Sequence, residues 1–468
     1  MKLLLKTAAR NILRNARRSI MTGSAVAAGG MAMLLFGGFA AYIFAGLETI
    51  SVQRVGHLNV FRTGYFLFGS GNPAAYGIAD YRRVIDLIAQ DPVIGPRLNV
   101  VTPTQSLMGI AGHFSGGSEA SRTFLGAGLV PSARDRMRLW DEHGTGQTHA
   151  ADGRLSDDDP SRGLVGVGMA RILGLCGDLG LRSCAAAPLR DSPPAEPGKP
   201  RSDLLMLAGL EAGTARETKD ATPRIELLGA TAAGAPNVVS LAVAGAEPQG
   251  ARELDDNYVA MHLGLAQQLV YGRGEHKATG IVLQLHRTGD LPAVRERLQE
   301  LIAANHLDLE VRDFRELSPF YVQVVRMFSS IFLFIALVMG VIVLFAVVNT
   351  MTMNVMERTN EIGTIRAMGV RRSGIRLQFI VEGALVGAIG AALGALAALG
   401  VAALVNHAAL WWVPPGNSSA TPFRIDVLGH PWLVAGSWLV LTLVAVWAAL
   451  IPANRAARLS VVDALRHV

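Results

Sequence analysis

Charged residues are scarce in this chain of 468 residues. Asp, Glu, Lys and Arg make up 17% of the sequence, whereas soluble domains contain about 25%. Half of the residues are hydrophobic, and the mean hydropathy is +0.34. This composition excludes a disordered chain and argues against a purely soluble enzyme, because so much apolar surface needs a core or a bilayer to cover it. It predicts a membrane protein.

Cysteine is almost absent, which excludes a disulfide-rich scaffold. The sequence contains two cysteines, Cys176 and Cys184, with seven residues between them and no CxxC motif. Their spacing does not fit a metal site. We expect a local disulfide formed in an oxidising periplasm. The alternative is two free or buried thiols, because closing so short a loop stabilises a fold little.

Motifs that carry catalysis or bind cofactors are also missing. The sequence has no GxxxxGK[ST] loop to hold ATP phosphates and no GxSxG nucleophile elbow. Its eleven histidines show no HExxH motif and no tight ligand pair, so we expect no metal site. We interpret His57, His113, His262 and His286 as ordinary polar positions. The sequence predicts neither an enzyme nor a chain that itself binds a cofactor.

Four apolar stretches are long enough to cross a bilayer, which takes about 20 residues. They lie at about 19–47, 328–353, 377–405 and 431–453. The alternative for the first stretch is a cleaved signal peptide, and its basic leader fits that reading. Its apolar run exceeds the roughly 7–15 residues of a signal-peptide core, so we interpret it as a transmembrane helix.

Basic residues indicate the orientation of these spans. Segments 1–18, 354–376 and 454–468 hold 14 basic and 3 acidic residues, whereas the rest of the chain holds 29 basic and 34 acidic ones. Short basic segments stay on the cytoplasmic side. We therefore expect both termini and 354–376 in the cytoplasm, and 48–327 and the short 406–430 loop in the periplasm. The pI near 9.6 then reports topology and not nucleic-acid binding.

The first 18 residues predict an amphipathic helix on the inner membrane surface. Leu4, Ala8 and Ile12 repeat at helical spacing. Basic residues lie opposite them, namely Lys6, Arg10, Arg14 and Arg17.

Region 48–327 mixes helical and strand patterns, which predicts an α+β domain or two small subdomains. Helical spacing is found at Ile78–Gln90, Met169–Leu175 and Leu291–Ala304. Strands are expected at Val100–Ile110, Ser121–Leu129, Leu204–Ala208, Ile225–Leu228, Val238–Val243 and Ile281–Leu285. Exposed loops or insertions are expected at the polar stretch Gly144–Arg162 and at Ala185–Ser202, which holds five prolines. The predicted fold class is an α-helical membrane protein with four transmembrane helices and a large α+β periplasmic domain inserted between the first and second.

Segment 354–376 combines an apolar helical face with charged residues. Ile362, Ile365 and Met368 share the face, and Gly369 lies where glycine commonly ends a helix. Such a helix between two spans is shaped to dock into a groove of a cytoplasmic partner. The alternative is a solvated interfacial loop.

Two acids of this segment lie four residues apart, Glu357 and Glu361. On a helix they repel each other. We expect Arg358 and Arg366 to relieve part of this repulsion.

These residues resemble a known family. ERTNEIGTIRAMGVRRSGIRLQFIVEGALVGAIGAALG is similar to the coupling-helix signature of FtsX-like ABC-transporter permeases of the MacB and LolC/LolE type. The tail PANRAARLSVVDALR and the start AARNILRNARRSIMT resemble the cytoplasmic C-terminus and N-terminal helix of that family. GMARILGLCGDLGL and IVLQLHRTGDLPAVRERLQELI resemble its periplasmic domain more loosely. The proline-rich insertion and its cysteine pair depart from the family pattern.

The resemblance implies a permease subunit, not an enzyme, in the bacterial inner membrane. It implies a dimer with a second permease subunit and a cytoplasmic ABC ATPase dimer, on which ATP and Mg²⁺ bind. A periplasmic adaptor, a chaperone or a lipoprotein cargo is a further implied partner. The family's ATPase contacts correspond to nine residues of this chain: Glu357, Arg358, Glu361, Ile362, Gly363, Arg366, Ala367, Met368 and Gly369.

The third span carries a stripe of glycines at steps of four, three and four, namely Gly383, Gly387, Gly390 and Gly394. Such stripes let helices approach closely in lipid. A seam between two permeases and static packing within one subunit are equally consistent with it. Glu382 lies one turn inside the same span and should find a donor or reach the cytoplasmic surface, because a buried acid is costly.

We expect this chain to transmit ATPase motion to periplasmic work. That work is lipoprotein release or transport, or export of a hydrophobic substrate. The alternative is an FtsX-like regulator that relays the motion to a periplasmic cell-wall hydrolase. A transmembrane sensor is a third class, which the third and fourth spans argue against.

Overall fold

The computed structural model describes residues 2–69, 71, 73–114, 120–146, 155–181, 222–249, 252–272, 276–413 and 420–459. The chain forms two compact units. The first, which we call the helical unit, comprises Met1–Glu48, Pro319–Trp412 and Thr421–Val468. The second, which we call the sheet unit, comprises Thr49–Ser318 and Val413–Ala420.

The elements are numbered in chain order. The helices are α1 (Lys2–Arg14), α2 (Ala16–Val55), α3 (Tyr81–Gln90), α4 (Pro131–Arg138), α5 (Val167–Ile172), α6 (Arg252–Asp255), α7 (Leu263–Tyr271), α8 (Leu291–Ala304), α9 (Phe314–Leu317), α10 (Pro319–Glu357), α11 (Thr359–Ala367), α12 (Arg372–His407) and α13 (Pro431–Arg458). The strands are β1 (Leu58–Arg62), β2 (Leu98–His113), β3 (Ala120–Leu129), β4 (Arg162–Gly166), β5 (Arg224–Ala230), β6 (Pro236–Glu247), β7 (Tyr258–His262), β8 (Gly280–Leu285), β9 (Leu309–Asp313), β10 (Trp411–Trp412) and β11 (Thr421–Pro422).

Within the described residues, four helices are long and apolar enough to cross a membrane: α2, α10, α12 and α13. α2 has 40 residues and α10 has 39. Because a helix rises about 1.5 Å per residue, each is about 60 Å long, twice the roughly 30 Å hydrocarbon core of a bilayer. The predicted spans 19–47 and 328–353 are therefore shorter than the helices that contain them. Hydropathy locates only the apolar part of each helix. α10 begins before that part, at Pro319, and proline favours the first turn of a helix.

The glycine stripe of α12 lies at helix contacts within the helical unit. A Cβ atom on any of the four glycines would come within 3 Å of a neighbouring helix, α13 for the first two and α2 for the last two. Helices in lipid reach such close packing only where one surface lacks side chains. The facing residues, in the order of the stripe, are Ala449, Ala445, Gly23 and Ala27.

The described residues of the sheet unit form a nine-stranded sheet in the order β3–β7–β4–β6–β5–β2–β8–β1–β9. β2 also pairs with β3, so six strands close into a ring. β3–β7 and β4–β6 are parallel pairs, and the other neighbours are antiparallel. Apolar side chains pack together in the core of this part, among them Leu107, Phe124, Leu227 and Met261.

β2 belongs to two parts of the sheet. Its first half, from Leu98 to Thr104, pairs with β8. Its second half, from Gln105 to His113, pairs with β3. The strand therefore runs without interruption from the β8–β1–β9 layer into the closed ring.

Several predicted elements are confirmed. α8 has the predicted bounds Leu291–Ala304, and the predicted strands at 100–110, 121–129 and 281–285 lie within β2, β3 and β8. The predicted helix at 78–90 begins later, at Tyr81, because Ile78 forms a bridge with Ala278.

Other predictions differ or lie outside the described residues. The predicted helix at 169–175 begins and ends earlier, as α5, and the chain turns at Gly174 with a φ of +72°. The predicted strand Leu204–Ala208, the proline-rich stretch Ala185–Ser202 and Cys184 fall outside the described residues. The predicted disulfide between Cys176 and Cys184 therefore stays a prediction.

The ring core provides a stability test. Phe124 is 1% exposed, whereas its chain neighbour Leu125 is 53% exposed. We expect Phe124→Ala to destabilise the chain by about 3–5 kcal/mol, because it leaves a cavity in a packed core. Leu125→Ala is the matched control and should cost within about 0.5 kcal/mol. Thermal unfolding of the full chain in detergent, followed by tryptophan fluorescence, measures both. Equal losses of stability would contradict the ring core.

Candidate functional site

The predicted coupling segment, residues 354–376, forms a short helix between two long ones. The chain breaks direction at Arg358 (φ −104°, ψ 15°), and α11 follows it from Thr359 to Ala367. Gly369 then has a φ of +94°, a conformation that favours glycine. α12 begins at Arg372. The predicted end of the helix near Gly369 is confirmed.

The apolar face of α11 packs against its own chain. Ile362 is 4% exposed and lies in a cluster with Phe379 of α12 and Ala456 of α13, and Ile365 packs partly against that cluster. Met368 was predicted on the same face but is 72% exposed. The prediction fails there because α11 ends at Ala367 and the turn carries Met368 away from the face.

The nine residues predicted to contact an ATPase divide by exposure. Three of them are buried: Arg358, just before α11, and Ile362 and Gly363 on its inward face. Arg366 is half-buried and donates a hydrogen bond to the Leu459 carbonyl, so it does not relieve the acids as predicted. The others are exposed, namely Glu357, Glu361, Ala367, Met368 and Gly369.

The exposed side of the segment is partly apolar. Met356, Met368 and Val370 are 68%, 72% and 43% exposed. We call the coupling surface the exposed set formed by Met356, Asn360, Thr364, Ala367, Met368 and Val370. Exposed apolar side chains rimmed by polar ones are typical of a surface that binds another protein.

A buried ion pair fixes the break between α10 and α11. Arg358 Nη1 lies 3.1 Å from Glu382 Oε1 and 3.4 Å from Oε2. The two side chains are 9% and 3% exposed. The Arg358 guanidinium also lies over the Phe379 ring, 5.8 Å from its centroid, an arrangement that attracts a cation to a ring face. Glu382 thus has the donor that its position in a span requires.

Residues of α1 complete the coordination of these acids. Asn11 donates a hydrogen bond to Glu382 Oε1 at 2.6 Å. Arg14 Nη2 lies 2.8 Å from Glu361 Oε2, and Arg358 Nε reaches the same oxygen at 3.1 Å. Arg18, at the start of α2, pairs with Glu357 at 2.6 Å. Gln378 Nε2 also donates to Glu382 Oε1, at 3.5 Å. We call these eight side chains the ionic cluster.

Glu361 of α11 and Glu357 at the end of α10 are therefore neutralised by Arg14 and Arg18 from the N-terminal part of the chain. The hydrogen bond from Arg14, and then the one from Arg358, hold the pKa of Glu361 below its ordinary value against the opposing effect of burial. Glu361 is 45% exposed and Arg14 is 52% exposed. Such a pair contributes at most about 1 kcal/mol, because water screens it.

Sequence reasoning missed the role of α1. The basic residues of α1 were assigned to the membrane surface, yet Arg14 binds an acid of α11. The available signal was Glu382, an acid in an apolar span that needed a donor. No sequence pattern indicates that Asn11 and Arg358, distant along the chain, supply it.

Other predicted groups stand apart from this site. The glycine stripe begins one residue after Glu382 and serves helix packing. Cys176 lies in the sheet unit. Among the residues that the structure describes, no three His, Cys, Asp or Glu side chains come together as a metal site would require.

The chain is similar to known permeases. Residues 332–461 match the family described as FtsX-like permease C-terminal. The chain is 31% identical over 195 residues to the macrolide export ATP-binding/permease protein MacB of Escherichia coli, covering 41% of this chain and 28% of that protein. It is 28% identical over 220 residues to MacB of Chlorobium luteolum, covering 45% and 30%. It is 28% identical over 198 residues to the uncharacterized ABC transporter permease YknZ of Bacillus subtilis, covering 42% and 46%. The chain spans less than half the length of each of these relatives.

The buried pair and the exposed pair of the ionic cluster should differ in energy. We expect Glu382→Ala to destabilise the full chain by about 3–5 kcal/mol, because the buried Arg358 charge loses its buried partner and keeps only the more exposed Glu361. Arg14→Ala should cost less than about 1 kcal/mol. Thermal unfolding in detergent measures both changes.

The double variant Arg358→Met/Glu382→Met is the control for this comparison. Replacing a buried ion pair by apolar residues is often close to neutral, so the double variant should recover most of the stability that Glu382→Ala loses. Equal losses of stability for Glu382→Ala and Arg14→Ala would contradict the larger contribution of the buried pair.

Proposed function

Since this chain is an FtsX-like ABC transporter permease of the MacB type, we propose that it transmits the motion of a partner ATPase across the membrane. The observation that carries the proposal is the ionic cluster. It ties α11 to α1 through Arg14 and Glu361, and it ties the junction before α11 to α12 through Arg358 and Glu382. In this proposal, a displacement of α11 is passed to α12 through the buried pair, and α1 follows through the weaker exposed pair.

The coupling surface is the proposed contact with the ATPase. Its exposed methionines suit a groove on a partner, because methionine adapts to irregular apolar surfaces. The buried residues Arg358 and Ile362 then hold α11 in position and do not touch the partner. Among the nine family residues, Ala367 and Met368 are then contact residues, and Arg358 and Ile362 are positioning residues.

ATP and Mg²⁺ are proposed to bind to the ATPase and not to this sequence, which contains no P-loop. The MacB relatives are described as ATP-binding/permease proteins, and YknZ as a permease. We propose a dimer of ABC ATPases as the partner, together with a second permease subunit. The ATPase supplies closure on ATP, and this chain supplies the connection to the spans.

We propose the inner membrane as the location, with α11 and both termini in the cytoplasm and the sheet unit in the periplasm. The support is the distribution of charge. The segments that include α1, α11 and the end of α13 hold 14 basic and 3 acidic residues, whereas the rest of the chain has more acidic than basic residues, and short basic segments stay cytoplasmic. α2 and α10 extend well beyond the thickness of a bilayer, which suits helices that carry motion outward.

The proposed work is release of a lipoprotein, or export of another hydrophobic substrate with a periplasmic adaptor or chaperone. The support is the apolar character of the spans, which disfavours a hydrated path for small ions. Between α2 and α10, aromatic rings pack against each other: Phe36 lies 6.1 Å from Phe328 and 6.5 Å from Phe332 between centroids. If the complex transports no substrate, the alternative function is regulation of a periplasmic cell-wall hydrolase.

The coupling surface can be tested by one charge. We expect Met368→Asp to weaken ATPase binding by about 30-fold, because an anion in a desolvated contact costs roughly 2 kcal/mol. The measurements are the amount of ATPase that co-purifies in mild detergent and the ATP hydrolysis of the complex. Thermal unfolding should be unchanged, because Met368 is 72% exposed.

Asn454→Asp is the matched control. Asn454 is exposed and lies near the end of α13, outside the coupling segment. It should leave both ATPase recovery and hydrolysis unchanged. The proposal is contradicted if no ATPase co-purifies with the unchanged protein, or if both variants weaken ATPase binding equally.

A further inference from the structure

An apolar groove lies between α12 and α13, in the halves of these helices that are remote from Glu382. Its volume is about 580 Å³, within the roughly 300–1,000 Å³ range of ligand sites. It is open along one side. The lining residues are Ala392, Ala395, Leu396 and Leu399 of α12, Pro431, Val434, Ala435 and Trp438 of α13, and Val427 and Leu428 of the preceding loop.

The lining follows one face of each helix. On α12 and on α13 the lining positions recur at steps of three, one and three, which is the spacing of a single helical stripe. Small and bulky residues alternate along the lining: Ala392, Ala395 and Ala435 lie among Leu396, Leu399 and Trp438. Leu396, Leu428 and Trp438 are 65%, 81% and 40% exposed. The groove is therefore apolar throughout, with bulky side chains projecting beside small ones.

The groove offers no polar side-chain atom that is free to bind a ligand. Trp438 carries the one polar side-chain group among the lining residues, and its Nε1–H donates to the Ala388 carbonyl at 3.0 Å. Water in a cavity needs two to four polar partners, so water does not suit this one. An extended peptide does not suit it either, because its backbone groups would stay unsatisfied at membrane depth.

A helix of a second copy fits the shape poorly. A helix with side chains is about 10 Å across, and helices in lipid approach along small residues. The small-residue stripe of α12 already packs against α13 and α2 within the chain. The exposed side chains of Leu396, Leu428 and Trp438 would hold a second helix away from the alanines of the groove.

We propose that this groove binds one acyl chain of a membrane phospholipid. A saturated hydrocarbon chain is slender, carries no polar group along its length and gains contact with the apolar lining of both helices. The groove ends at Pro431 and Leu428, next to the exposed Trp432, and tryptophan is typical of the membrane interface. The lipid headgroup would then lie at that interface, outside the groove.

Photo-crosslinking tests the proposal. The full chain is reconstituted in nanodiscs of phosphatidylethanolamine that contain a phosphatidylcholine with a diazirine in one acyl chain. After illumination, mass spectrometry maps the crosslinked residues. We expect crosslinks to be concentrated about tenfold at the lining residues relative to other exposed apolar residues of α12 and α13. An even distribution over the exposed apolar positions would overturn the proposal without any variant.

Two alanines of α12 provide the matched variants. Ala392 lines the groove and Ala397 does not, and both are exposed. Ala392→Trp fills the groove and should lower crosslinking there about tenfold, whereas Ala397→Trp should leave it unchanged. Ala395→Leu is the second groove variant if Ala392→Trp does not purify as a folded protein.

The same variants distinguish a lipid from a second copy of the chain. If the groove variants dissociate a dimer while crosslinking to the lipid stays low in the unchanged protein, the groove is a protein interface and the proposal is wrong. Failure of the proposed ATPase coupling would not affect this result, because the crosslinking requires neither ATP nor the partner.

Discussion

The helical unit depends on one buried charge. Glu382 is 2% exposed among apolar side chains, and an isolated carboxylate there would cost several kcal/mol. Arg358 can reach it only because α10 ends at the preceding residue and the chain turns. That turn sets where α11 begins, and α11 in turn offers Glu361 to Arg14 of α1. The break, the short helix and the docking of α1 are thus consequences of neutralising one acid.

The division between buried and exposed residues gives the coupling segment two functions. Arg358, Ile362 and Gly363 face inward, so they determine where α11 lies. Met368 and its exposed neighbours face outward, so they are available to a partner. A family signature alone does not separate these roles. Residues that position the helix and residues that contact a partner stand side by side in the same motif. The structure separates them by burial.

Local patterns predicted what depends on local physics. Hydropathy located four spans, and α8, β2 and β3 follow from helical spacing or alternation that a few residues contain. The end of α11 at Gly369 follows from the conformational freedom of one glycine. What failed depends on distant residues. β1, β4, β7 and β9 are five residues each, too short for a clear pattern, and are strands because neighbours far along the chain pair with them. The donors of Glu382 were unpredictable for the same reason.

The unbroken course of β2 has a mechanical consequence for the sheet unit. Two subdomains joined by a flexible linker can rotate independently, but here 16 residues of one strand carry ladder hydrogen bonds on both sides of the junction. A rotation there would break hydrogen bonds in the ring and in the β8–β1–β9 layer together. Within the described residues, the ring and the β8–β1–β9 layer therefore share one continuous strand, which resists a hinge rotation at β2.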